Sequence, residues 1–188
     1  TFRASGAKSN QEKIVKDQLG KILRDNVWGT IEEDCERRDF TINSLYFDPI
    51  QKKLFDRHQG VNDSYKRKIV SIGDPMLRFE EDPVRSLRAV RFATKLNFKI
   101  DKQIKDAIYE KGYLLSSISN ARRFDEFNKI FMHGKAQHNF EKLETFDLLK
   151  HLVSHVGQSN SYGYRLQMSA LINTDNRVHE GKSVTPGF

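Results

Sequence analysis

Residues 81–92 read Glu81-Asp82-Pro83-Val84-Arg85-Ser86-Leu87-Arg88-Ala89-Val90-Arg91-Phe92. Asp82-Pro83 is a helix start: a capping side chain followed by proline at the first helical position, where its missing N–H costs nothing. The helix is predicted to run to about Leu96 and to end near Asn97. Leu87, Val90 and Ala93 share one face that can pack inward. Arg85, Arg88, Arg91, Lys95 and Lys99 recur at steps of three and four, within about a third of the circumference. Like charges stacked this way repel, so the stripe needs anions or acidic neighbours.

Outward from this helix, the pattern stays helical towards the C-terminus. A second helix is predicted from Asp101 and a third from Ser119-Asn120, where Phe124, Phe127, Ile130 and Phe131 fall at helical spacing. More helix is expected over 141–153, then a loop over 156–163. Gly73-Asp74-Pro75 is a turn signal in which Asp74 suits the cap of a short helix. On the N-terminal side the signals change. Residues 45–49 look like a short strand stopped by a turn, with two further strands at 54–56 and 69–72. Residues 60–68 suit a small helix or turn. Glu32-Glu33-Asp34 opens a charged helix predicted to continue from Cys35 to Asn43, and residues 4–25 read as a loop holding at most one short helix. The fold class is therefore α+β: a small mixed part over 1–72 and an all-helical part after it, with a boundary near Gly73.

Composition narrows the partners. Of 188 residues, 37% are apolar and 30% charged, which fits a soluble, helix-rich chain with large solvated faces. No run of about 18 apolar residues exists, so no membrane span is expected, and the first residues do not resemble a signal peptide. Cys35 is the single cysteine, which excludes an internal disulfide, suits a cytoplasmic location, and with the scattered histidines leaves no zinc-ligand spacing. Of the net charge of +7, residues 66–105 carry +6, from 11 Lys and Arg against 5 Asp and Glu. A stretch of this kind suits a polyanion, and equally a lysine-rich solvated helix surface.

Three further segments carry possible chemistry. In Arg37-Arg38-Asp39-Phe40-Thr41-Ile42-Asn43, a continuous helix would place Asp39 and Asn43 on one face, where a carboxylate and an amide can hold ribose hydroxyls and the arginines can meet phosphates. Ordinary salt bridges would use the same residues. Asp82 and Arg85, three apart at a helix start, offer an acceptor beside a fork of donors, enough to read a base edge, or simply a cap with its ion pair. Arg122 and Glu126 have the spacing of a surface salt bridge. No nucleophile–His–carboxylate set and no Gly-Lys-Ser/Thr phosphate loop occurs.

Taken in order, Thr1-Phe2-Arg3, Glu32-Glu33-Asp34, Arg37 through Tyr46, Gly73-Asp74-Pro75 and Glu81 through Phe92 resemble the bacterial poly(A) polymerase family, which shares its catalytic head with the class II CCA-adding enzymes of the polymerase β superfamily. The resemblance is strongest over 26–130 and continues to Asn173-Thr174-Asp175, Arg177 and His179. It implies the C-terminal part of a nucleotidyltransferase head over 1–72, a helical neck over 73–133 and the start of a helical body over 134–188. It also implies transfer of AMP from ATP to RNA 3′ ends, with magnesium. On this resemblance Arg38, Asp39 and Asn43 contact the triphosphate and ribose. Asp82 and Arg85 read the base, supported by Glu81 and accompanied by Arg88. Arg91, Lys95 and Lys99 meet RNA phosphates, Asp74 and Arg78 form the hinge, and Arg122 and Glu126 brace the base-reading helix. The family's Gly-Gly turn and metal-binding Asp-x-Asp pair would precede Thr1, so no catalytic or metal residue is expected in this chain, and alone it is expected to be inactive. A CCA-adding enzyme and a non-catalytic RNA-binding module are the alternatives. Oligomeric state is not legible.

Overall fold

The computed structural model describes residues 29–153, 157–158 and 161–186, with the backbone of two short strands, β1 (Val15–Lys16) and β2 (Ile22–Arg24), paired antiparallel. Apart from these strands, the loop expected over 4–25 lies outside the described residues. The chain divides into two compact units, Thr1–Lys66 with Val70–Gly73 and Arg67–Ile69 with Asp74–Phe188.

In the first unit, α1 (Ile31–Arg37) opens with a capping box: Thr30 Oγ1 accepts from Glu33 N–H at 3.3 Å, and Glu33 Oε2 accepts from Thr30 N–H at 2.9 Å. The helix does not continue to Asn43 as predicted. Arg38 turns extended (φ −64°, ψ 160°), Phe40 bridges Ser71, and a 3-10 turn follows at Thr41–Asn43. Tertiary pairing outweighs helix propensity here, because Thr41 N–H donates to Val70 C=O and Ile72 N–H to Asp39 C=O. Burial of Cys35, Phe40 and Ile72 forms the core beneath the break.

The strands expected at 45–49 and 54–56 are present as β3 (Leu45–Asp48) and β4 (Lys53–Asp56), and they pair as a hairpin from Leu45↔Asp56 through Asp48↔Lys53. Asp48 Oδ1 fastens its turn by accepting from Ile50 and Gln51 N–H at 2.8 and 3.1 Å. α2 (Gly60–Tyr65) fills the span read as a small helix, and the Asp56 carboxylate accepts from its first amides, Gly60 and Val61. Only glycine fits at 60, since a Cβ there would stand 2.3 Å from Thr41 C=O. The strand expected at 69–72 is divided. Residues 68–69 form β5 (Lys68–Ile69), parallel to β6 (Lys99–Ile100) in the second unit, whereas Ser71 serves the bridge in the first.

The second unit is helical as expected. α3 (Pro75–Glu81) starts on an Asp74 cap whose Oδ1 accepts from Met76 N–H at 3.0 Å, after Gly73 at φ 74°. α4 (Val84–Leu96) ends where Asn97 takes the left-handed conformation. α5 (Lys102–Lys111) and α6 (Asn120–Phe131) carry the predicted caps, Asp101 and Ser119. The inward face of α4 is the core's centre: Leu87, Ala89 and Ala93 are fully buried, joined by Phe79, Ile104, Ile108 and Leu115. At roughly 1.5–3 kcal/mol for each large apolar side chain removed from water, this face outweighs any single polar contact in the unit.

Two expectations fail downstream. The helix placed at 141–153 instead begins earlier, as α7 (Ala136–Thr145), and stops before Asp147, which adopts φ 57°. The predicted loop at 156–163 gives way from Tyr162 to α8 (Tyr162–His179). On α6 the apolar stripe is only partly inward, with Ile130 and Phe131 buried and Phe124 exposed. Among the described residues no helix is long and apolar enough to cross a membrane.

Candidate functional site

In the first unit the break after α1 organises the Arg-Arg-Asp segment. Asp34 is buried, so its carboxylate requires partners. Its Oδ2 accepts from Arg38 Nη2 at 2.7 Å, Arg38 Nε at 3.2 Å and the Tyr46 hydroxyl at 2.5 Å. Arg38 Nε also donates to the Tyr46 hydroxyl oxygen at 3.2 Å, and its guanidinium lies 5.7 Å from the Tyr46 ring centre. Burial pulls the Arg38 pKa down, but the bonds to Asp34 and Tyr46 outweigh it and leave the group above its ordinary value. Burial, reinforced by the Asp34 bond, pushes the Tyr46 phenol up to about 12. The result is a fixed guanidinium with its side chain 45% exposed. Asp34 and Tyr46 escaped the sequence reading as positioning residues, although the four-residue step from Asp34 to Arg38 was available as a signal.

Asp39 and Asn43 meet as expected, but not on a helix. Asn43 Nδ2 donates to Asp39 Oδ1 at 3.0 Å across the extended step, and the same oxygen accepts from Phe40 N–H at 2.9 Å. Asp39 is buried and Asn43 half-buried, so this pair also fixes its own loop.

In the second unit Asp82 ends α3, and its Oδ1 accepts from Val84 N–H at 3.3 Å, which performs the capping read from the sequence. Both its oxygens accept from Arg122 Nη2, at 2.9 and 3.0 Å, across 40 residues of sequence. Arg85 Nη1 donates to Glu81 Oε2 at 3.1 Å and to Arg78 C=O at 3.3 Å, while Arg78 Nη1 reaches the same Glu81 oxygen at 2.8 Å. An acceptor held by Arg122 and a donor held by Glu81 thus stand three residues apart at the start of α4.

The basic stripe is partly compensated. Arg88 and Arg91 lie over the Phe92 ring, at 5.3 and 4.4 Å from its centre. Buried Glu126 accepts from Lys129 Nζ at 2.8 Å and stands 3.9 Å from Arg91 Nε. Arg122 and Glu126 therefore reach to α3 and α4 rather than to each other. Arg91 and Lys95 line a shared cavity, whereas Lys99 has left the helix and sits exposed on β6. Among the described residues no three His, Cys, Asp or Glu side chains stand close enough to hold a metal ion.

Two family models match the chain: the poly A polymerase head domain over residues 1–70, and the probable RNA and SrmB-binding site of polymerase A over residues 97–158. Poly(A) polymerase I of Haemophilus influenzae is 38% identical over 194 residues, covering all of this chain and 43% of that protein. The chain belongs to the bacterial poly(A) polymerase and CCA-adding enzyme family. Its α+β fold is that of the family, part of a polymerase β-like head followed by helices. The CCA-adding enzyme of Bacillus licheniformis is 42% identical over 107 residues, covering 57% of this chain and 26% of that enzyme. Among solved structures of the family, the Bacillus stearothermophilus CCA-adding enzyme in complex with CTP superposes with a TM-score of 0.62 at 28% identity, over 85% of this chain and 37% of that one. The chain spans less than half the length of these relatives.

Proposed function

We propose that this chain supplies nucleotide and RNA recognition for template-independent addition of AMP from ATP to RNA 3′ ends. The observation that supports this reading best is the 38% identity to a poly(A) polymerase along the whole chain. In this reading residues 73–133 act as the neck and residues 134–188 begin the body. Asp74 and Arg78 form the hinge beside the neck. Arg38, Asp39 and Asn43 serve the triphosphate and ribose of ATP.

Base reading falls to Asp82 and Arg85. A carboxylate accepts from an exocyclic amino group, and a guanidinium donates to the neighbouring ring nitrogen. Adenine and cytosine both present that donor–acceptor order, while guanine and uracil present a carbonyl beside an N–H and leave both side chains unpaired. Glu81 and Arg122 hold the two readers in place before a base arrives, which lowers the ordering cost of binding. Arg88 adds positive charge beside them. The metal ions of phosphoryl transfer would belong to carboxylates outside the described residues, and would align the attacking hydroxyl with the α-phosphate.

Because Asp82 and Arg85 accept either adenine or cytosine, CCA addition is the second reading, favoured by the match to the Bacillus licheniformis enzyme. The deciding experiment incubates the protein, extended to its relatives' full length, with magnesium, a short RNA and each nucleoside triphosphate separately. A long ladder with ATP alone is expected, with kcat/KM for ATP lowered about 10–100-fold by Asp82→Ala or Arg85→Ala. Products ending in C, C and A would replace polyadenylation with CCA addition. Failure to extend with any nucleotide, while RNA still binds, would leave a non-catalytic RNA-binding module.

A further inference from the structure

The loop that carries Asp39 and Asn43 is held from a second side, by α2. Thr41 lies midway between the two residues, in the 3-10 turn, and is buried. Its hydroxyl donates to Asp63 Oδ2 on α2 at 2.8 Å, across 22 residues of sequence. Its N–H donates to Val70 C=O at 3.0 Å, and its C=O accepts from Ser44 N–H at 3.1 Å. α2 also presses on the turn through its backbone. A Cβ at Gly60 would meet the Thr41 carbonyl carbon at 2.8 Å and Leu45 Cδ2 at 3.1 Å.

Asp63 is half-buried, and among the described residues its carboxylate meets no lysine or arginine, although Lys66 and Arg67 follow it closely. What it meets is Thr41. A helix of six residues has little stability of its own, so α2 gains its place from the Asp56 cap at one end and from its contact with the turn. In return it fixes the middle of the span 39–43. With Thr41 tied through its N–H and its hydroxyl, the Asp39–Asn43 pair at either side cannot shift without breaking one of those bonds.

We propose that Asp63 is a positioning residue for nucleotide binding: it touches no substrate, and through Thr41 it holds Asp39 and Asn43 in the arrangement that grips the ribose of ATP. The inference rests on the proposed function in giving the ribose to that pair. Hydrogen bonds to hydroxyls are directional and weaken steeply when donor and acceptor are misaligned. The attraction between a guanidinium and a triphosphate falls off slowly with distance and tolerates a small displacement. Freeing the turn therefore costs recognition of the sugar and spares recognition of the phosphates. A turn ordered in advance also spares the nucleotide the cost of ordering it.

The test is isothermal titration of the 188-residue chain with ATP and with 2′,3′-dideoxyATP, which lacks both ribose hydroxyls. The wild-type chain is expected to prefer ATP about tenfold. Asp63→Ala should reduce that preference to about twofold or less while dideoxyATP binds as before. Asp63→Asn should keep most of the preference, because its amide oxygen still accepts from Thr41. Thr41→Val, which keeps the side-chain volume and removes the donor, should match Asp63→Ala, and the double variant should be no worse than either. Should alanine at 63 unfold the chain by circular dichroism, Thr41→Val carries the same expectation. Asp39→Ala is the reference for the ribose assignment itself, and Ser64→Ala, exposed on α2, is the control. In parallel, hydrogen exchange at the Asn43 and Ser44 amides, which donate within the turn, should speed up about tenfold in Asp63→Ala and stay unchanged in the β3–β4 hairpin.

Preference retained in Asp63→Ala but lost in Asp39→Ala overturns the proposal and leaves the ribose assignment standing. Unchanged exchange at Asn43 and Ser44 overturns it as well. Equal weakening of both ligands, with exchange faster throughout the unit, would make Asp63 a general support of the fold and also sinks the idea. A wild-type chain that does not prefer ATP over the dideoxy analogue removes the ribose assignment from the proposed function, and the role of Asp63 falls with it.

Discussion

Asp34 shows how one buried carboxylate sets the geometry of its surroundings: three donors from Arg38 and Tyr46 converge on its Oδ2. Below the ordinary tyrosine value the Tyr46 phenol is protonated in both folded and unfolded chains, and its contribution to stability is complete. That contribution is lost as pH rises through the folded value of about 12. Of the six tyrosines, Tyr164 is also raised, by burial and then by Glu144. An ultraviolet tyrosinate titration should therefore show a component near pH 12 that disappears in Tyr46→Phe. Persistence of that component would remove Tyr46 from the cluster. The hydrogen bonds that close within a few residues were legible in the sequence, including the caps at Asp74, Asp101 and Ser119. The partner of Asp82 was not, because Arg122 lies 40 residues away and only packing brings it there. Arg122 and Glu126 were read as a pair for the same reason: spacing along one helix says nothing of helices that cross it.

At the scale of elements, α7 depends on a residue far from it in sequence. Its N-cap position, Lys135, makes no side-chain capping bond. Instead Asp175 of α8 accepts from Ala136 and Gln137 N–H at 2.6 and 3.1 Å, and so places a negative charge at the positive end of the helix. Asp175→Ala should cost about 1–2 kcal/mol, read as a lower urea midpoint at an unchanged m-value. Asp175→Asn should recover part of that loss, because an amide oxygen still accepts. If alanine leaves the midpoint unmoved, solvent caps α7 equally well and α8 has no such role. This contact also explains why 141–153 was misplaced: the local sequence carries no start signal at 136, because the cap comes from elsewhere. α8 itself was hidden because its apolar residues do not form one inward stripe. Tyr162 and Leu166 are largely exposed, and Thr174 is the one buried residue among those described in the helix. By contrast α4 announced itself, since Leu87, Val90 and Ala93 keep helical period and all lie inside.

Across the whole molecule the basic character survives folding. The acidic residues of the charged window are largely engaged: Glu80 with Lys111, Glu81 with Arg78 and Arg85, Asp82 with Arg122, and Asp101 with Lys68. Lys95, Lys99, Lys102 and Lys105 remain exposed without an acidic partner among the described residues. Exposed pairs contribute little stability, so the arrangement is better explained by what it leaves available than by what it holds together. If these four lysines each neutralise one phosphate of a single strand, log affinity should fall against log salt with a slope of about −3, and quadrupling the salt should weaken binding about fiftyfold. Isothermal titration or anisotropy across a salt series measures this slope directly. A slope near zero would mean that RNA is held by stacking and hydrogen bonds alone, and the charge of residues 66–105 would then serve only solubility. An intermediate slope counts the phosphates in contact.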